Sequence, residues 1–319
     1  MLLRGLVTLG VASACFIEPR ADHPVMSTLA KSAYDPSLSV PPSFDWRSQV
    51  PSTGTGSSTA TPMNLITPPR TQFLPRPCGS CWACAATGAL SDKIKIATRG
   101  RYPDLAVSPQ VLLNSGSNPS DNAPGSCGGG SDLLAYSYIQ HHGITDETCM
   151  PYAGVDNNAW GESPVEARMC RTCDRFGSCT FKNASLIVNV SAFGTVTGGL
   201  LGTQQEIMNG GPVTCSVYAH SKSFEEYTGG VIADPAQYPG TTHVITLIGW
   251  GVEDSKNASE PALPYWIGRN SFGTGWGENF GFFRIKRGAN TLNLEERPCR
   301  WASVSDETIK AVEAANRVG

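Results

Sequence analysis

Three cysteines follow one another at intervals of three in Pro77-Cys-Gly-Ser-Cys-Trp-Ala-Cys84. Such a run supports three chemistries: a clamp of thiolates around a metal, a redox pair, or a structural disulfide beside a nucleophile. Each demands a different fold, so the surrounding sequence decides among them. From Cys81 onward, Trp82, Ala85, Ala86, Ala89, Leu90 and Ile94 recur at three- and four-residue steps, which predicts a helix with one buried face. Ser80 stands where an N-cap belongs. Cys81 is then the first residue of a helix whose dipole favours a thiolate.

The compartment bears on that choice. Met1-Leu-Leu-Arg4, an apolar run from Gly5 to Val11 and the small residues Ala12-Ser13-Ala14 read as a short secretory signal, residues 1–14. No other segment approaches the ~20 apolar residues that span a bilayer. Asn183, Asn189 and Asn257 open glycosylation sequons, whereas Pro119 excludes the one at Asn118. Eleven cysteines in a secreted chain imply a disulfide framework. The expected location is the secretory pathway, ending in a lysosome or vacuole or outside the cell. A net charge of -3, without a dense Lys/Arg run, argues against nucleic acid as a partner.

Residues 15–39 are polar and proline-punctuated, which suits a short pro-segment. The Gly/Ser/Thr-rich stretch 51–62 reads as a surface insertion and 115–125 as a long loop. A second helix is expected from Ser131 to His141 and a short one from Thr203 to Asn209. Strand-like runs fill the second half: Leu186–Val190, Val213–Val217, His243–Gly249, Tyr265–Ile267 and Gly281–Ile285. The chain thus divides into a helical lobe of about 40–180 and a β lobe of about 181–300. A tail, 301–319, is expected to hold a short helix from Thr308. With 319 residues, 34 Gly and 23 Pro, it can form one large or two small compact lobes rich in irregular backbone.

A metal site would draw on Cys78, Cys81 and Cys84, with Cys170, Cys173 and Cys179 in support. Secretion argues against free thiolates, so no metal and no cofactor are expected. A redox pair at Cys78 and Cys81 belongs in a short parallel βαβ unit, of which the sequence shows no sign. A nucleophile at Cys81 needs an imidazole and an orienting amide. His243 opens an apolar strand, and Asn270 sits in the loop Arg269-Asn-Ser-Phe-Gly-Thr-Gly-Trp-Gly277.

The C-G-S-C-W stretch with His and Asn downstream in that order resembles the papain-like cysteine peptidases. The resemblance runs from Phe44-Asp-Trp-Arg47 to Cys299 and implies an α+β, two-lobed papain-like fold with a cleft between the lobes. It implies a monomeric thiol protease acting on peptides or proteins, with Cys81 as nucleophile, His243 as its acid–base partner and Asn270 orienting the ring. Gln72 would donate to the oxyanion.

Gln72 lies three residues farther upstream of the nucleophile than in most of the family, a pattern similar to the cathepsin X (cathepsin Z) branch. Pro42–Arg47, His142–Cys149 and Tyr227–Val231 resemble that branch as well. There the extra loop blocks the primed side and makes the enzyme a carboxypeptidase. This chain carries Phe73 where the branch has a carboxylate-binding histidine, leaving Arg76 as the nearest cation. Phe272 replaces the tryptophan that shields the His/Asn bond, and Trp276 is expected to wall the primed side.

By the same resemblance, Gly129 and Gly130 pair with substrate backbone. The implied disulfides are Cys78–Cys127, Cys149–Cys170, Cys173–Cys179 and Cys215–Cys299. Cys84 is left as a packed apolar residue, and Cys15 as a cap on the nucleophile. An endopeptidase lacking a carboxylate anchor stands as the alternative within this chemistry, and a disulfide-rich redox or binding module outside it.

Overall fold

The computed structural model describes residues 15–49, 62–115, 123–156, 169–254 and 261–316. The expected signal at 1–14, the Gly/Ser/Thr run up to residue 61 and the sequon Asn257 lie outside the described residues.

The N-terminal segment carries a short helix α1 (Pro24–Ser27) and strand β1 (Ala30–Lys31), followed by β2 (Phe44–Asp45). Helices α2 (Cys81–Ala97), α3 (Pro109–Ser115) and α4 (Asp132–His142) build the first lobe. The hairpin of β3 (Gly125–Ser126) and β4 (Gly129–Gly130) lies between the last two. A second hairpin, β5 (Cys170–Cys173) with β6 (Cys179–Lys182), leads into the sheet. Its remaining parts are β7 (Val190–Thr195), α5 (Gly199–Gly210), β8 (Val213–Val217), α6 (Lys222–Glu225) and β9 (Val231–Ile232). The chain then runs through β10 (His243–Glu253), β11 (Leu263–Arg269), β12 (Phe282–Lys286), β13 (Arg300–Val304) and α7 (Asp306–Ala315).

Nine strands form one sheet in the order β1-β7-β13-β8-β10-β11-β12-β9, with β2 added to β10. The long β10 is its spine, antiparallel to β8 and to β11, and places His243 opposite Val217 and Thr246 opposite Arg269. Its side chains alternate between two cores, as strand geometry requires. Val244 packs with Trp82, Leu90, Leu133 and Tyr136 of the helices, while Ile245 and Leu247 pack with Trp250, Trp266 and Phe283 of the β lobe. This is the α+β, two-lobed architecture expected.

Helix α2 departs from expectation, because Cys81 to Ile94 are all buried and no face meets water. Its charged positions Asp92 and Lys93 are satisfied internally. Asp92 forms an ion pair with Arg269 at 2.8 Å and accepts from the backbone and hydroxyl of Thr67 at 2.8 and 2.7 Å. Lys93 donates to the carbonyl of Gly210. Ser80 precedes the helix but its hydroxyl does not cap it; it bonds the hydroxyl of Tyr152 at 2.6 Å instead.

Other boundaries move for tertiary reasons. Helix α3 is buried throughout and lacks the period that would announce it. Residues 186–189 make only a bridge, Val188 to Ile144, and the strand begins at Val190, where β13 offers a partner. Residues 301–304, read as tail, lie within β13 between β7 and β8, and α7 docks through Val312 on the first core. The lobe boundary near residue 180 is likewise crossed, since β2 pairs with β10 at Gly249. A Cβ there would stand 2.2 Å from the carbonyl oxygen of Phe44, so only glycine lets the strands meet.

The Asp92–Arg269 pair generates a stability prediction. Asp92→Asn leaves a buried guanidinium without its counter-charge, and the expected loss is about 3–5 kcal/mol. Urea unfolding at neutral pH under non-reducing conditions measures it; a change below 1 kcal/mol contradicts the assignment.

Candidate active site

Cys81 Sγ, Cys15 Sγ and His243 come together so closely that their polar atoms lie within 4.8 Å of one another. Cys81 stands at the N-terminus of α2, fully buried, and is joined to Cys15 in a disulfide. The disulfide consumes both thiolates, so the trio cannot ligate a metal in this form. His243, first residue of β10, turns Nδ1 toward Cys15 Sγ at 3.3 Å and Nε2 toward Asn270 Oδ1 at 2.8 Å.

The amide of Asn270 is oriented in turn. Its Oδ1 also accepts from the Ser271 backbone at 2.8 Å, which fixes oxygen rather than nitrogen toward the ring. His243 therefore donates from Nε2 and keeps a lone pair on Nδ1, facing sulfur. Burial pushes the imidazole down to about 4, with the Asn270 bond opposing the fall. In the capped form it is a neutral base.

Residues 15–18 run through the cleft as extended chain. The backbone N–H groups of Cys15 and Phe16 donate to Thr242 O at 3.0 and 3.2 Å. Across the groove, Gly130 N–H donates to Cys15 O at 3.1 Å and Ile17 N–H donates to Gly130 O at 2.8 Å, a parallel bridge centred on Phe16. Gly130 takes both bonds, while Gly129 supplies the bend with φ 124°. A Cβ on Gly130 would stand 2.5 Å from the Trp82 ring, so the wall facing the segment must be bare backbone.

The sequence matches the papain family cysteine protease profile over residues 40–302. The chain belongs to that family. It is 35% identical to Cathepsin Z of Onchocerca volvulus over 275 residues, covering 82% of this chain and 78% of that protein. Cathepsin B-like cysteine proteinase 5 of Caenorhabditis elegans is 29% identical over 309 residues, 91% of this chain and 80% of that one. A solved Carica candamarcensis cysteine protease in complex with E-64 superposes with a TM-score of 0.56 at 26% identity, over 83% of this chain and 99% of that structure. Digestive procathepsin L2 from Tenebrio molitor larval midgut shares the fold at a TM-score of 0.65 and 24% identity, over 91% of this chain and 78% of that structure. This papain-family chain is thus a cysteine protease acting on peptide or protein substrates.

Around the sulfur cluster the protease arranges the other expected residues unevenly. Gln72 is buried beside the cleft; its Oε1 accepts from the Ser271 hydroxyl at 2.8 Å, and its Nε2 donates to Cys78 O at 3.2 Å. Phe73 packs its ring 5.1 Å from Phe272, whose ring is 5.0 Å from that of His243. Trp276 joins the same aromatic group through Phe272 at 5.6 Å and Phe224 at 5.1 Å. Arg76 is exposed, on a loop whose backbone presses against Gly154.

Cys78 is bonded to Cys127, Cys149 to Cys170, Cys173 to Cys179 and Cys215 to Cys299. Cys78 and Cys81 thus bond to different partners, which removes the redox pair. Cys84 is free and buried, and burial pushes its thiol up to about 11, far from reactivity. Asn183 is exposed, whereas Asn189 is half-buried and holds α7 through backbone bonds to Ser305 and Thr308. Sequence reasoning missed Thr242, Ser271 and Tyr152. Each acts through a backbone oxygen or a hydroxyl that gives no sequence signal by itself.

The depressed histidine makes a pH prediction for the capped form. Above pH ~6.5 the ring is neutral folded and unfolded. Below it the unfolded chain takes the proton first, so the contribution is present above the unfolded pKa and is lost as pH falls toward about 4. The expected loss is on the order of 3 kcal/mol across that window. Urea unfolding between pH 7 and pH 4.5 should be steeper in pH for the native chain than for His243→Gln; parallel curves count against a buried neutral ring.

Proposed function

We propose that this cysteine protease is a carboxypeptidase of the cathepsin X type, held latent by Cys15 until reduction. The observation that carries the reading is the disulfide from Cys15 to the first residue of α2, beside the His243–Asn270 pair and within a cleft the N-terminal segment fills. The similarity to Cathepsin Z and the long Gln72–Pro77 approach to the nucleophile support the exopeptidase assignment. The segment 15–39 serves as pro-segment behind a signal of residues 1–14. The peptidase domain begins near residue 40 and extends past residue 300, into β13.

An external dithiol reduces the Cys15–Cys81 disulfide, leaving two thiols on the chain and a disulfide on the reductant. The Cys81 thiol then passes its proton to His243 Nδ1, the nitrogen that faces Cys15 Sγ in the disulfide and lies free once the segment has left. Pairing with imidazolium, together with the α2 N-terminus, favours the thiolate form of such a thiol. The thiolate attacks the carbonyl carbon of the substrate's last peptide bond. The Gln72 amide and the Cys81 backbone N–H, one of the first-turn groups without an intrahelical partner, receive the developing oxyanion. His243 protonates the leaving amine, and water, deprotonated by the same ring, hydrolyses the acyl-enzyme.

The primed side is shaped by the aromatic wall of Phe73, Phe272 and Trp276, with Arg76 the nearby cation for a substrate carboxylate. Phe73 offers no donor there. The protein functions as a monomer without cofactor, in the lysosome, the vacuole or the extracellular space, with Asn183 as the accessible glycosylation site among the described residues.

Two measurements test this reading. Reduced, mature protein should release the last residue from a peptide with a free C-terminus at least tenfold faster than from its amide, with Cys81→Ala inactive. Arg76→Gln should erase most of that preference. Equal rates, or cuts in the peptide interior, make it an endopeptidase. Cys15→Ser precursor should be active without reductant while the native precursor needs it, and equal latency in both rejects the cap.

A further inference from the structure

The cleft-filling segment is also an imprint of what the cleft prefers. In extended chain, alternate side chains share a side. Phe16 and Glu18 face inward, whereas Ile17 between them is 53% exposed. Glu18 ends on Arg300, first residue of β13, with its Oε2 accepting from Nη2; Arg297 lies 3.9 Å from the same oxygen. The guanidinium of Arg300 also covers the Phe16 ring at 5.5 Å.

Arg300 is 2% exposed with the segment in place. A buried guanidinium with unfilled donors can still take a further acceptor. Here Nε and Nη1 have no hydrogen-bond partner among the described residues, and the one described acceptor hydrogen-bonded to the guanidinium belongs to the segment that must leave. Asp132, the nearest fixed carboxylate, stays 3.9 Å from Nε and turns its other oxygen to the hydroxyl of Thr214. With Glu18 present, two cations, Arg297 and Arg300, face two carboxylates; without it they face one. Departure of the segment therefore vacates the pocket that Phe16 and Glu18 fill, with an under-satisfied guanidinium against it.

We infer that this pocket selects substrates carrying a carboxylate side chain on the acyl side of the cleaved bond, with Arg300 as the specificity-determining residue. Asp or Glu at the second or third residue before that bond reaches the place Glu18 vacates. The inference rests on the cleft being the peptidase site, and holds whether the enzyme trims ends or cuts internally. It also explains why the latent form is well sealed: the pro-segment carries the group the pocket prefers.

The test uses reduced, mature protein and peptides that differ only by Glu, Gln or Lys at those two positions. The expected result is a kcat/KM for Glu at least tenfold above Gln at one position, with Lys the poorest. In Arg300→Met the Glu/Gln ratio should fall to within twofold. The native enzyme alone decides if that variant does not fold, because Glu and Gln are nearly isosteric. Equal kcat/KM for Glu and Gln at both positions, or a folded Arg300→Met that keeps the preference, overturns the inference while leaving a working peptidase. Absence of any Cys81-dependent cleavage overturns the reading of the cleft and the inference together.

Discussion

The Asp92–Arg269 ion pair is the constraint on which the site depends. A helix buried on every side has no surface on which to leave a charge, and desolvating a carboxylate costs several kcal/mol unless a partner is fixed beside it. Arg269 supplies that partner from the end of β11 and also donates to the carbonyl of Thr67 at 2.9 Å. The fit is tight, since a Cβ at Gly88 of α2 would stand 2.6 Å from the Arg269 guanidinium. Asn270 follows Arg269 directly, and Thr246 of β10 pairs with Arg269 three residues after His243. One buried charge pair thereby fixes the helix bearing Cys81, the strand opening on His243 and the turn holding Asn270 as a single unit. Placing three side chains from distant parts of a chain to within a fraction of an ångström needs such a unit, because loops alone would leave them loose.

The N-terminal segment is held by interactions of three kinds at once: a covalent bond at Cys81, backbone bonds to Thr242 and Gly130, and the charge contact at Arg300. Each raises the effective concentration of the others, so the weak contacts count fully only while the disulfide stands. Farther along, Ala30 and Lys31 extend the sheet beside Gly194 and Thr195, and Val25 enters the first core. The segment is thus built into the fold at several points along its length. Reduction removes the strongest of these attachments, and the remainder must then compete with substrate for the same groove.

Much of this was legible in the sequence because chemistry-bearing motifs are local. The Cys81 run, the His243 strand and the Asn270 loop each carried their own signal, as did the β-rich runs that became β8 and β10. What escaped was set by distant partners. The apolar spacing of α2 announced one buried face, and the burial of the rest was hidden because the partners of Asp92 and Lys93, Arg269 and Gly210, lie far off in sequence. Ser80 looked like a cap because its real partner, Tyr152, is unpredictable from spacing. Strand β13 passed for tail because its edge is defined only by β7 and β8. Arg300 carried no motif, and its meaning comes from Glu18, at the opposite end of the chain.

His243 shows how the cap and the chemistry use the same geometry in opposite senses. Buried against a disulfide, the ring meets no negative charge among the described residues, so desolvation dominates and it stays neutral. In the proposed mechanism freed Cys81 changes the balance: its sulfur, within 4.8 Å of the ring's ligand nitrogen, becomes an anion, and its attraction to an imidazolium in a poorly solvated cleft outweighs the burial that had kept the proton away. The Asn270 bond serves both states, because Nε2 donates to the same oxygen in either. A histidine pre-set by burial to be neutral is therefore no obstacle to an ion-pair mechanism. In the proposed mechanism the charge state is set by whether the sulfur is bonded or free, so breaking one S–S bond would both open the cleft and arm the base.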